Sequence, residues 1–359
     1  MKIYKCVKKS KALGVWAGIL GFIAILFIFA KECKDGAVDG ILMCMGVLVP
    51  SLFPFMILSS FIAENNISEI LSPVFTPVSK LLTGLEGICF IPVMLSIAGG
   101  YPVGARAISA LKNKGLISDR EAAQLALICC GAGPGFLVTF VGVTLLGSKE
   151  AGIILLVSQI ISILTLCVIS RIGFRNKKAE VSPKPLSSPP TSISDTFVGA
   201  VYSAVKSCAG MCGYVVLMSA VCNVITSGLG LKGVLGQFAV STLEITTGVY
   251  NLENTNLTII SGLVGFGGVC VHLQIFRELK GIRFSKALFY IYRLLSAGIS
   301  MLCTKLLLVL FPISAEVFSS ITEKPRLTFY SGLAGCLGLV LTSVLFIFSL
   351  RNKNFTFRR

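Results

Sequence analysis

The chain has 359 residues, of which 54% are hydrophobic and only 13% charged, with a formal net charge of +16. A soluble domain averages about 25% charged residues, so this composition excludes a water-covered globule and makes lipid the solvent for much of the chain. It has room for roughly eight spanning helices of about 20 residues each.

The basic residues cluster beside apolar runs, at Lys2–Lys11, Arg106–Arg120, Arg171–Lys184, Arg277–Lys286 and Arg351–Arg359. That placement belongs to cytoplasmic loops. No interleaving of aromatic and basic residues points to nucleic acid. The 13 cysteines include no Cys-x-x-Cys pair, and a single histidine leaves a zinc or iron–sulfur centre without ligands. Neither a nucleotide-binding loop, nor paired carboxylates, nor a nucleophile with its base and acid appears, so an enzyme is not expected. No cofactor is expected beyond a coupling H+ or Na+.

In chain order, the basic Lys2–Lys11 precedes the apolar Ala12–Ala30, which charged Lys31 and Glu32 follow. A cleavable signal would end in small residues, so this reads as a retained first helix. Further spans are expected at Gly40–Ile62, Ala122–Leu146, Ala151–Ile169, Val198–Thr226, Leu257–Phe276, Ala287–Phe311 and Leu327–Leu350. Ile88–Gly100 and Val234–Val249 are too short to cross and read as re-entrant hairpins. Eight crossings with both termini cytoplasmic place the basic loops inside. The external segments then keep only Lys31, Lys34, Lys149, Lys232, Lys324 and Arg326. The stretch Asn176–Ser194, with four prolines, reads as a flexible linker.

The halves share an order of parts: an aromatic–small helix, a hairpin, a glycine-interrupted helix and a plain helix. The interruptions are Gly131-Ala132-Gly133-Pro134-Gly135 and Gly265-Phe266-Gly267-Gly268. Three crossings per unit invert the second unit relative to the first. Inverted repeats with matched broken helices point to a transporter site. The expected architecture is therefore all-α, with about eight transmembrane helices and two re-entrant hairpins. Residues 1–37 form a basic segment and first helix, 38–172 the first repeat, 173–195 a linker, 196–312 the second repeat, and 313–359 a last helix and basic tail. The partners expected are the bilayer and a small-molecule substrate; oligomerisation stays open.

The candidate site gathers at the interruptions. In the first hairpin tip it takes Gly100, Tyr101, Pro102 and Gly104; in the first break, Gly133 and Pro134. Both prolines suit the first turn of a half-helix, whose N–H groups attract anions. In the second half it takes Glu244, Thr246 and Thr247, then Gly267, Gly268, His272 and Gln274. Glu244 is the sharpest of these, because an intramembrane carboxylate is costly and marks function by default; it is the candidate ion-coupling residue. Thr242 is a further oxygen donor nearby. Arg106, on the returning arm of the first hairpin, serves equally as an anion contact or an interfacial anchor. Arg293 and Lys305 are expected to snorkel, and Ser158 and Gln159 to pack helices.

Several strings together resemble the YlbJ-type (SpoVV) sporulation integral membrane proteins. They are Pro50-Ser51-Leu52-Phe53-Pro54-Phe55, Gly100-Tyr101-Pro102-Val103-Gly104-Ala105, Leu243-Glu244-Ile245-Thr246-Thr247-Gly248 and Gly265–Gln274. The likeness runs over residues 38–312. It implies a Gate, or nucleoside-recognition, domain similar to concentrative nucleoside transporters, in which two hairpins and two broken helices build the substrate site. By that likeness Glu244 matches an acidic position of the second unit. The string before Pro134 departs from the pattern: Cys129-Cys130-Gly131-Ala132-Gly133 stands where the resemblance implies an asparagine. The implied role is passage of dipicolinic acid across the outer forespore membrane during sporulation. A nucleoside-type transporter and a non-transporting assembly factor for spore formation are the alternatives.

Overall fold

A computed structural model describes residues 16, 18, 20–64, 67–174, 193–231, 233–250, 252 and 256–313. The predicted span Leu327–Leu350, the basic ends and most of the linker lie outside these residues. Among the described residues the regular structure is helical throughout.

A helix over 20–28 bends at Phe29 and continues as α1 (Ala30–Met43). A wide turn at Cys44–Leu48 passes it into α2 (Val49–Glu64). The external loop expected after Ala30 is therefore absent: Lys31, Glu32, Lys34 and Asp35 lie within α1. These side chains interrupt the hydropathy without opposing the helix, since Lys and Glu are good helix formers. α1 packs on α8 (Ile193–Asn223) through Gly36 and Gly40. A Cβ at Gly36 would lie 2.6 Å from the Ser219 carbonyl, and one at Gly40 would lie 2.8 Å from the Val216 Cα. Small residues four apart permit such close approach in lipid.

α3 (Ile67–Leu82) is a helix the span pattern gave no sign of. It is amphipathic in the membrane sense. Ile70, Val74, Val78 and Leu81 are exposed, whereas Ser68, Ser79 and Thr83 are buried. It meets the following helical segment at an angle of 81°. That segment contains α4 (Phe90–Gly99), which packs against α5 (Tyr101–Asn113) as the first hairpin.

The predicted crossing Ala122–Leu146 is two pieces, α6 (Asp119–Ile128) and a wide-turn helix, Gly135–Leu145. Ser118 caps α6 reciprocally with Glu121, which fixes its start. α7 (Lys149–Phe174) follows. The second half repeats the order with α8, then α9 (Gly233–Leu243) and α10 (Ile245–Tyr250) as a hairpin. α11 (Leu257–Phe266) and α12 (Gly268–Glu278) are separated only by Gly267, and α13 (Lys286–Leu310) closes the half. Among the described residues, five helical segments are long and apolar enough to cross a membrane: Ala30–Ile62, Lys149–Phe174, Ile193–Gly228, Leu257–Glu278 and Lys286–Leu310.

The packing is inverted relative to a water-soluble fold. α7 exposes Ile153, Val157, Ile161, Val168 and Ile172, while Ser158, Gln159 and Ser162 are buried. The buried polar groups join α7, α11 and α13. Gln159 donates to Ser300 Oγ at 3.0 Å, Ser162 and Ser296 hydroxyls meet at 3.1 Å, and Thr304 Oγ1 reaches Ser158 at 2.8 Å and Ser261 at 2.7 Å. Apolar outside and hydrogen-bonded inside is the arrangement lipid demands. The chain is an integral membrane protein.

Contacts also gather the basic segments at one end of the bundle. Arg120 donates to the Phe174 carbonyl, where the linker begins, and Ser109 donates to the Glu278 carbonyl beside the Arg277–Lys286 loop. At the other end, Asn223 donates to the Glu32 carbonyl at 2.8 Å.

Thr304→Val keeps the shape of the side chain and removes both hydroxyl contacts. The expected loss is about 1–2 kcal/mol, read from unfolding in detergent; Lys305→Gln, on the exposed face of α13, is expected to stay within about 0.5 kcal/mol of wild type.

Candidate functional site: a pocket where the hairpin tips meet the broken helices

The first hairpin turns at Gly100, whose φ of +89° only glycine adopts without strain. Pro102 sits in the first turn of α5, where its missing N–H is no loss. The first break packs directly on this tip. A Cβ on Gly133 would lie 2.9 Å from the Gly100 nitrogen and 3.1 Å from the Gly99 carbonyl carbon. In the second half the tip is Glu244, between α9 and α10. A Cβ on Gly268 would lie 3.2 Å from the Ile245 nitrogen. Each broken helix thus presents a glycine to the backbone of its own hairpin tip.

Four residues beyond each tip stands another glycine pressed on the outgoing arm. A Cβ on Gly104 would lie 2.6 Å from the Ser96 Cβ, and one on Gly248 would lie 2.2 Å from the Ser241 Cα. By position, Glu244 occupies in the second half the place that Gly100 holds in the first.

The two tips, the first break and the α12 half-helix surround a small pocket of about 30 Å3. Seven predicted site residues line it: Gly100, Tyr101, Pro102, Gly133, Glu244, Thr246 and Gln274. Apolar walls come from Leu48 and Leu52 near the start of α2 and from Met211 and Val215 of α8. Among the described residues, Glu244 is the only charged one in the lining. It is 1% exposed, and its two carboxylate oxygens accept from the backbone N–H groups of Thr246, at 3.1 Å, and Thr247. The carboxylate therefore caps the N-terminus of α10. That helix end is filled from within the chain, while the remaining lone pairs of the carboxylate stay available. Gln274 is buried, and its amide donates toward the Cys270 sulfur at 3.4 Å.

The other predicted residues stand behind the pocket. Gly104 serves the hairpin packing just described. Pro134 opens the Gly135–Leu145 helix, and Gly268 meets Ile245. Gly267, at φ +91°, supports the Tyr101 ring; a Cβ there would lie 3.2 Å from it. The Thr247 hydroxyl pairs with Ser219 Oγ at 2.9 Å. Thr242 turns away and bonds the Phe238 carbonyl at 2.8 Å. His272 is fully buried within edge-on contacts to Phe266, Phe289 and Tyr290. Its Nε2 lies 2.8 Å from the Phe266 carbonyl. A carbonyl only accepts, so Nε2 carries the proton, and His272 closes the end of α11; it does not line the pocket.

Arg293 is the residue whose role differs most from expectation. It does not snorkel. It is completely buried, and its guanidinium donates to the Leu127 carbonyl at 2.8 Å and to the Cys130 carbonyl. These are the carbonyls that α6 leaves unpaired at the first break. Tyr101 does the corresponding work at the second break, donating to the Val264 carbonyl at 2.6 Å. An arginine alone in the middle of an apolar run was the available signal, because a charge far from both interfaces cannot reach water.

The chain is 25% identical, over 333 residues, to the sporulation integral membrane protein YlbJ of Bacillus subtilis (strain 168). The aligned region covers 80% of this chain and 81% of that protein. No protein-family profile matches the chain. No solved structure matches it either.

Gly133→Ala places a methyl against fixed backbone and is expected to force the first tip and break apart. Gly213→Ala meets nothing within 4 Å and is the control. In detergent, the first should lower the unfolding midpoint by several degrees, consistent with about 1–3 kcal/mol of overpacking, and the second should not. Arg293→Met leaves two buried carbonyls without a donor; its expected cost is about 3 kcal/mol or more by the same measurement.

Proposed function

We propose that this chain is a sporulation-associated transporter of a small anionic metabolite, and that its substrate is dipicolinic acid, moved across the outer forespore membrane. The observation that carries the reading is the meeting of both hairpin tips, the first helix break and the half-helix beyond the second on one small pocket holding Glu244. The association with spore formation rests on the likeness to a sporulation membrane protein.

In this reading the halves form an inverted repeat of three crossings and one hairpin each, within an eight-span chain. The end that gathers Arg120, Phe174 and Glu278 faces the cytoplasm, with both termini on that side. Alternating access is a rocking of one repeat against the other around the pocket.

Glu244 couples transport to an ion. The charge of an ionised carboxylate repels a dicarboxylate substrate. Binding a proton or Na+ there removes the repulsion, so substrate and cation occupy the pocket together. Thr246 and Gln274 supply polar contacts beside it, and the apolar walls suit the flat face of an aromatic ring.

Uptake by vesicles containing the full chain tests this. Wild type should accumulate dipicolinate, driven by an inward proton or Na+ gradient. Glu244→Gln, which keeps one acceptor oxygen for the helix cap, should abolish the dependence on that gradient. Uptake of nucleosides in place of dipicolinate would assign the other transporter class; uptake of neither would leave the assembly role standing.

A further inference from the structure

The pocket lining contains a carboxylate and no cation. One helical turn away, at the basic end of the bundle, the balance reverses. α8 connects the two places. Met211 and Val215 line the pocket, and the same face of α8 runs on through Ser207 to Ser203, about 6 Å per four residues. Arg106 of α5 donates to Ser203 Oγ. Glu278 of α12 accepts from Ser207 Oγ at 3.2 Å. Arg277 lies against Gly210: a Cβ there would fall 1.6 Å from its Nη1, so only glycine leaves the guanidinium its place.

The other two helices repeat the relation. Pro102 lines the pocket, and Arg106 follows it by four residues on α5. Gln274 lines the pocket, and Arg277 and Glu278 follow by three and four on α12. Residues so spaced share a helix face. Three helices therefore carry the pocket wall directly into a cluster of two guanidinium groups and one carboxylate. Arg106 is buried, at 9% exposure, while Arg277 is exposed, so the cluster reaches from the protein interior to the surface.

We propose that Arg106 and Arg277 form an anion-binding mouth that takes a carboxylate group of the substrate before it enters the pocket. This rests on the transport reading above and adds the residues that select its substrate, a small organic carboxylate, by charge at the mouth before shape acts in the pocket. Guanidinium suits the task because its planar donors match a carboxylate and it stays charged when buried. The site also removes a difficulty of the pocket itself. An anion approaching Glu244 would be repelled from afar, and the two guanidinium groups, net of the Glu278 carboxylate beside them, offset that repulsion at the mouth.

Were these arginines only interfacial anchors, their charge would not act on the ligand. The test compares Arg106→Gln and Arg277→Gln with Lys280→Gln, an exposed residue two positions beyond α12. Uptake of pyridine-2,6-dicarboxylate is measured at varied concentration, together with its effect on the thermal unfolding midpoint in detergent. The neutral pyridine-2,6-dicarboxamide is run beside it. Each Gln variant is expected to raise KM for the dicarboxylate about tenfold, the loss of roughly one charge-assisted contact, at unchanged maximal rate. Arg277→Lys should recover part of it, and Lys280→Gln should leave KM unchanged, as should the diamide's midpoint shift in every variant. Exposed Arg277 carries the test if Arg106→Gln fails to fold. Normal uptake with an unaltered KM in Arg277→Gln overturns the mouth and leaves transport intact. If wild type transports nothing, the transport reading falls and the midpoint decides: a dicarboxylate shift in wild type that is lost in Arg277→Gln upholds the mouth, and no shift in wild type overturns it.

Discussion

A backbone group unwound within a membrane must find its hydrogen bond inside the protein, because lipid offers none. This constraint organises the structure. Both broken helices end in carbonyls without a partner on their own helix. At the first break Arg293 of α13 supplies the donors to Leu127 and Cys130. At the second, Tyr101 supplies Val264 and His272 supplies Phe266. Arg293 comes from the half opposite to the break it closes, and so does Tyr101. The halves are therefore joined by the bonds that make the breaks tolerable, and pulling them apart would orphan carbonyls at both. Motion that keeps these bonds is rotation of packed bodies about the tips, which is the motion alternating access needs.

The same constraint explains the glycines. Unwound segments can be covered only by something that approaches closely, and here the cover is another stretch of backbone. Gly133 against Gly100, and Gly268 against Ile245, bring main chain to main chain with no side chain between. The arrangement leaves the polar atoms of both tips near one another, with Glu244 among them. Its carboxylate then has two duties: it completes the cap of α10 and it gives the pocket its charge. A substitution that removes the acid without an acceptor would confuse these duties, which is why glutamine is the informative replacement.

Much of this was legible in the sequence. Glycine and proline mark where a helix cannot continue, so the first hairpin tip and both breaks appear where Gly100–Pro102, Gly131–Pro134 and Gly267–Gly268 stand, while the second tip is marked by Glu244 alone. Of the seven proposed site residues that meet in one pocket, Gly100, Tyr101, Pro102 and Gly133 lie at those interruptions, Glu244 and Thr246 at the second tip, and Gln274 within α12. What stayed hidden was whatever depends on partners distant in sequence. Lys31–Asp35 read as a loop because charge ends a hydropathy run, but a helix needs only backbone bonds to continue through charge. α3 stayed hidden because its lipid-facing residues alternate with serines and prolines, and a span window averages them away. His272 read as a site residue because polar side chains are rare here, yet its nearest need was a carbonyl six residues back.

The distribution of charge gives the functional reading its sharpest form. A pocket with one carboxylate and no cation would by itself favour a cation or a neutral molecule. The arginines lie one turn further out, on the same three helices, and invert that preference at the mouth. In the proposed transport reading, selection and coupling fall at separate depths: guanidinium groups sort by charge where water is near, and Glu244 responds to a cation where it is not. A substrate with an apolar ring and carboxylates at its edge fits both depths, since the ring needs the walls formed by Leu52, Met211 and Val215 while the carboxylates need the mouth. A nucleoside, lacking the charge, would gain nothing from Arg277. The mouth, rather than the pocket, is thus the part of this structure that separates an anion carrier from a nucleoside carrier of the same architecture.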